Sequence, residues 1–423
     1  MTTMTDPHHQ GGFKLSMLIY DSRYRSITIQ IVALIGFLTL IGWLINNTGQ
    51  NLADLGKEPS FGFMTEGAGY DINQRLLDYT STDTHLRASF LGLLNTLLVA
   101  VMGCITATVI GVMVGVARLS HNWIISRLMA FYVEMFRNVP VLLWIVLAMA
   151  VMIESMPSPR AFRGEDPAAT MSLFDTVAFT NRGVYVPEPL FSNSLGNIHL
   201  FGTSSLRFDV SLDLIVFLVV FIGGLLISRM IGKRANATQE KTGVRPTVWH
   251  IRLAVVAVPT LTVLWALGFY LGYPELKGFN FAGGTHMRNS LIALWLALSL
   301  YTAAFIAEIV RAGILAISKG QTEAASALGL RPRRTMSLVI LPQALRVIIP
   351  PLISNYLNLT KNSSLAIAVG YMDITGTLGG ITMNQTGREL EAILLLMLVY
   401  LSISLTISAV MNWYNNSVKL KER

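Results

Sequence analysis

Polar residues are scarce in this chain, and three groups of them have types and spacing that could do chemistry. Asn358, Lys361, Asn362, Ser363 and Ser364 fall close together, a few residues after Pro350-Pro351. Amide, hydroxyl and ammonium groups of this kind could replace the hydration shell of a small zwitterion entering an apolar bundle. The proline pair removes two backbone donors and is expected to break an apolar helix, whose freed ends would add a dipole beside the cluster. The same residues would equally suit an outer membrane boundary. Glu308 and Arg311 sit three apart inside an apolar run, so they share a helix face and could pair in a structural or gating role. Asp373 is placed to meet an ammonium group or to cap a loop, and Glu154 and Asp213 to sit at an interface.

The third group is KGQTEAASALG, residues 319–329, too short and polar to cross a membrane. Gly320 serves as an N-cap, which puts Glu323 in the first turn. Ala324, Ala325, Ala327 and Leu328 form a smooth apolar surface, Gly329 stops the helix and Pro332 follows. Such a knob suits a cleft on a partner protein.

Other chemistries lack their residues. No Gly-rich loop ends in Lys-Ser/Thr, so the chain itself is expected to hold no ATP. No His/Cys set has metal spacing, Gly-x-Ser-x-Gly is missing, and no catalytic residue is assigned. Cys104, the single cysteine, lies in an apolar run and reads as packing filler.

The elements that must carry these residues are membrane spans. Of 423 residues, 52% are hydrophobic and 13% charged, and mean hydropathy is +0.54. That composition belongs to an all-α polytopic membrane protein. About eight transmembrane helices are expected, near 27–45, 89–116, 139–153, 212–231, 253–271, 290–317, 339–359 and 390–413. Residues 124–136 form an amphipathic surface helix. The apolar runs are too long, and alternate too little, for β-barrel strands. The net charge of +8 reflects Lys and Arg gathered in inner loops rather than nucleic-acid binding. Residues 47–87 carry six acidic side chains and suit an outer loop. Eight spans with this charge pattern put both termini in the cytoplasm.

Glu323-Ala324-Ala325, Gly329 and Leu341-Pro342 resemble the EAA motif of ABC-importer permease subunits, with Val339 where the family pattern has Ile. FLGLLNTLLVA (90–100), VEMFRNVPVLL (133–143), YTAAFIAEIVRAGI (301–314) and LTKNSSLAIAVGY (359–371) resemble the polar amino acid branch, the histidine and glutamine type. FTNRGVYVPEP (179–189) is similar to the larger subunits of general L-amino acid permeases. Trp144 departs from the Gln often found there in close relatives. The resemblance implies a type I ABC-importer transmembrane fold over 88–413, with an inserted periplasmic segment (155–209) and an extra pair of spans within 212–271. An N-terminal tail, extra span and periplasmic loop fill 1–87, and 414–423 form a cytoplasmic tail. It also implies that 319–329 is the coupling helix, and that the chain sits in the bacterial inner membrane. The implied partners are a second permease subunit (a heterodimer), two ATPase subunits that bind ATP and Mg, and a periplasmic amino-acid-binding protein; the substrate is an L-amino acid.

Two other readings compete. An ion-coupled secondary transporter would need acidic relay groups deep in several spans, and these are nearly missing. A membrane-anchored assembly or receptor protein leaves the capped polar helix without a use.

Overall fold

Long apolar runs fold as helices because a backbone in lipid must satisfy its own hydrogen bonds. A computed structural model describes residues 17–20, 22–54, 56–57, 59–164, 166–200 and 208–418, in two units, 1–61 and 62–423. The first unit holds α1 (Met17–Tyr20) and α2 (Ser22–Asp54). In α2 the side chains of Ile31, Leu38 and Trp43 are exposed, as in a helix solvated by lipid.

The second unit begins with α3 (His85–Ala117), α4 (Trp123–Asn138) and α5 (Val141–Ser155). Asn122 caps α4 by accepting from the Ile124 amide at 2.9 Å. Five short strands follow: β1 (Ala178–Thr180), β2 (Gly183–Val186), β3 (Glu188–Phe191), β4 (Asn197–Leu200) and β5 (Phe208–Ser211). The pair α6 (Leu212–Thr242) and α7 (Trp249–Ala266) comes next, then β6 (Phe269–Gly272), β7 (Glu275–Lys277), β8 (Asn280–Ala282) and β9 (Thr285–Arg288). α8 (Asn289–Leu315), α9 (Lys319–Ala327) and α10 (Pro332–Thr335) lead through a π-helical turn, Met336–Ile340, into α11 (Leu341–Asn362). A 3-10 stretch (Ser363–Val369), a π stretch (Thr375–Thr382), α12 (Met383–Thr386) and α13 (Glu389–Val418) complete it.

Among the described residues, eight helical stretches are long and apolar enough to cross a membrane. The membrane part is helical as expected; the strands are an addition that short alternating segments did not announce. Their pairing brackets the α6–α7 pair. β3 pairs with β6 on its far side, and β2 pairs with β9, with Gly183 opposite Arg288. The span expected to reach 271 ends at Ala266, because residues 269–272 form β6.

α8 is the axis of the second unit. In its most apolar stretch 72% is buried, against 33% in α3. The two run parallel at close range, since α3 presents Ala107, Gly111 and Gly115 at four-residue spacing. A Cβ at Gly111 would lie 2.6 Å from the Ile306 Cβ, and one at Gly115 would lie 2.7 Å from the Ala307 carbonyl oxygen. α4, α5 and α11 also pack on α8.

Candidate functional site

At one end of α8, α9 is closed by a left-handed residue. Gly329 has φ +72°, its amide donates to the Ser326 carbonyl at 2.9 Å, and the Leu330 amide donates to the Ala325 carbonyl at 3.1 Å. This Schellman arrangement satisfies two orphan carbonyls. The start of α9 differs from expectation. The helix begins at Lys319 after Ser318, not Gly320, and no side chain caps it. Glu323 therefore lies beyond the first turn, where the helix dipole favours it less. The surface differs too. Ala325 is buried (4%), whereas Ala324 and Ala327 are exposed and Leu328 is 81% exposed. Gln343 Nε2 donates to Gln321 Oε1 at 3.3 Å, tying α9 to α11.

Glu308 and Arg311 do share a face: Arg311 Nε donates to Glu308 Oε1 at 3.2 Å. Arg118, at the end of α3, donates to the other carboxylate oxygen. This third member was not singled out in the sequence, where Arg118 reads as one of several loop cations. Arg346 was also missed. It lies within α11 with a buried Nε that has no partner, and its only signal is a charge in an apolar run.

The expected break at Pro350-Pro351 does not occur. α11 continues through both prolines, with Ile348, Ile349 and Ile353 buried around them, so packing holds the helix where two backbone bonds are lost. The interruption falls at Gly370, in the left-handed region at φ +67°. The polar cluster does not converge on one point. Asn358, Lys361 and Asn362 share a face by their spacing, and the first two are exposed. Ser363 is fully buried, with its hydroxyl donating to the Thr360 carbonyl at 2.7 Å. Ser364 donates to the Lys361 carbonyl at 2.8 Å.

α3 holds the interruption in place. Asn95 Nδ2 donates to the carbonyls of Gln74 at 2.7 Å and Met372 at 2.8 Å. The Ile374 amide donates to Thr96 Oγ1 at 3.1 Å. The signal was an Asn-Thr pair inside the apolar run 90–100. Asp373 is fully buried and caps the chain beyond: its Oδ1 accepts from the Gly376 amide at 2.9 Å and its Oδ2 from Tyr400 Oη at 3.2 Å. Asp213 is likewise a cap, accepting from the Leu195 amide at 2.8 Å, and Glu154 is exposed.

A bundle of helices long and apolar enough to cross a membrane, with a short exposed polar helix after its most buried member, defines a multi-span membrane protein. Residues 246–420 match the family described as binding-protein-dependent transport system inner membrane component. The chain is 57% identical, over an alignment of 431 positions that covers 100% of each, to the glutamate/glutamine/aspartate/asparagine transport system permease protein BztB of Rhodobacter capsulatus. It is 41% identical over 421 residues to the general L-amino acid transport system permease protein AapQ of Rhizobium johnstonii, covering 99% of this chain and 98% of that one. A shorter match, 36% identical over 119 residues, covers 28% of this chain and 26% of BztC, another permease protein of the same-named Rhodobacter capsulatus system. The chain belongs to the amino-acid ABC-importer permease family, whose members are multi-pass proteins of the inner membrane.

Proposed function

We propose that this permease carries L-amino acids inward across the bacterial inner membrane, driven by ATP hydrolysed in a separate subunit. Full-length identity to two amino-acid permeases carries this reading. The exposed α9 supports it, since an apolar tip at Leu328 on a firmly closed helix suits an ATPase cleft. The assembly is this subunit, a second permease subunit, two ATPase subunits holding ATP and Mg, and a periplasmic amino-acid-binding protein. The shorter match to a second permease of one system favours two different permease subunits. Both termini lie in the cytoplasm, with α9 on that side and the strands on the periplasmic side. This chain has no catalytic role of its own.

ATP draws the ATPase subunits together and the two coupling helices with them. Glu308, bonded to Arg118 and Arg311, transmits that motion to α3 and α8. Energy enters only as the different stability of the inward-open and outward-open states. Asn358, Lys361 and Asn362, on one face of α11, line the solute path at the permease interface. Ser363 and Ser364 support the helix rather than meet the solute.

The assembly, reconstituted in vesicles with saturating binding protein, should take up a labelled L-amino acid only with ATP on the ATPase side, and an ionophore should not stop it. Uptake driven by an ion gradient without ATP would establish the secondary-transporter reading instead. Asn358→Leu and Lys361→Ala should slow uptake while ATP hydrolysis persists. Unchanged uptake in both would move the path off this face.

A further inference from the structure

The pair α6 and α7 forms a hairpin that packs chiefly on itself. Gly224, Ser228 and Gly232 recur every four residues on α6 and are buried. A Cβ at Gly224 would lie 3.1 Å from the Val255 carbonyl oxygen, and one at Gly232 would lie 3.3 Å from Arg252 Cζ. Arg252 crosses from α7 to this stripe, its Nε donating to the Ser228 carbonyl at 3.1 Å. The small-residue face of α6, the kind that lets helices approach in lipid, is thus already occupied by α7. Among the described residues of the second unit, the other main contacts of the pair are to β5 and β6, not to the bundle around α8.

Beside that stripe lies a groove of about 840 Å³, walled by Val220, Gly223 and Ile227 of α6 and by His250, Ile251 and Ala254 of α7. Gly223 gives it depth, since a Cβ there would meet nothing within 4 Å. One end of this apolar groove is cationic. Arg234 follows Val220 and Ile227 at seven-residue steps, so it continues the groove face of α6 toward the hairpin's turn. His250 lines the same end. Trp249 stands beside it, 70% exposed, with its ring 5.9 Å from the imidazole, and tryptophan collects at headgroup depth. Residues 229–252 hold six Lys or Arg against one Glu. None of the six makes an ion pair among the described residues.

We propose that this groove seats one anionic phospholipid, with an acyl chain along Gly223, Ile227 and Ala254 and its phosphate on Arg234 and His250. The two parts of the ligand match the two parts of the groove, and basic pockets between membrane helices favour anionic headgroups. A zwitterionic headgroup would bring an ammonium into an excess of cations. An apolar helix from another subunit would leave the cationic end without a counter-charge. The site itself does not depend on the transport reading. The leaflet does: with both termini in the cytoplasm, the lipid belongs to the inner leaflet.

The test uses the purified whole transporter, stripped of lipid in detergent and titrated with dioleoyl phosphatidylglycerol, with bound lipid counted by native mass spectrometry. One retained phosphatidylglycerol per copy of this subunit is expected, not displaced by an equal concentration of phosphatidylethanolamine. Arg234→Gln should weaken retention by about fivefold, the scale of one cation at an anionic surface. Gly223→Leu should abolish it by filling the groove, while the fold persists, because the side chain enters open space and leucine suits a helix better than glycine. Arg229→Gln removes the same charge two residues after Ile227, on the opposite side of α6, and should leave retention unchanged. If Arg229→Gln weakens retention as much as Arg234→Gln, net charge alone attracts the lipid and the proposal falls. Full retention in Gly223→Leu also refutes it. If no phosphatidylglycerol is retained and Gly223→Leu instead blocks assembly, a helix of another subunit fills the groove, and the proposal falls. Orientation is read separately. Thr238→Cys reacting with an impermeant thiol reagent from the outer side would keep the site but overturn the inner-leaflet assignment and the topology behind it.

Discussion

Arg118, which ends α3, donates to Glu308 of α8 across 190 positions of sequence. Glu308 in turn holds Arg311 on its own helix. One carboxylate thus ties the end of α3 to α8, the span that leads into α9. Side chains of Arg118 and Glu308 are 14% and 28% exposed, so the pair stands between a surface bridge and a buried one. Glu308→Ala should cost about 1–3 kcal/mol on that scale, read as a lower thermal midpoint of the purified complex. No loss in the single variant would make the trio incidental.

Two changes in α9 should separate docking from folding. Leu328→Asp puts a charge on an exposed apolar tip, so the subunit should fold normally, while ATPase stimulation falls about tenfold or more through desolvation in the docked state. Ala325→Arg places a long cation in a buried position and should lower the thermal midpoint of the subunit itself. A Leu328→Asp transporter with full stimulation would show that the ATPase does not seat on this tip.

Close approach of α3 and α8 depends on missing side chains. Gly111→Val should push the Ile306 side chain and its backbone apart, costing about 1–3 kcal/mol or more as overpacking. Reduced yield of assembled complex and a lower melting midpoint are the expected readings. Gly36→Val on α2, where an added Cβ meets nothing within 4 Å, is the control and should be silent.

Apolar run length and the short polar helix at 319–327 were legible in the sequence because both are local. Hydropathy is a sum over neighbours in the chain, and a helix stop such as Gly329 needs only its own backbone. The pairing of Glu308 with Arg311 follows from helix spacing in the same way. The strand pairs were not legible, because β3 and β6 meet only after α6 and α7 fold back between them. Nor was the position of the interruption in the seventh span. Proline chemistry favoured residues 350–351, but Ile348, Ile349 and Ile353 pack against neighbours and keep that turn helical, while Asn95 and Thr96 of α3 hold the chain open after Gly370. Arg118 as the partner of Glu308 and the burial of Ala325 are likewise products of tertiary packing. Each depends on which residues from distant segments come within a few ångströms, and neither residue type nor local spacing encodes that.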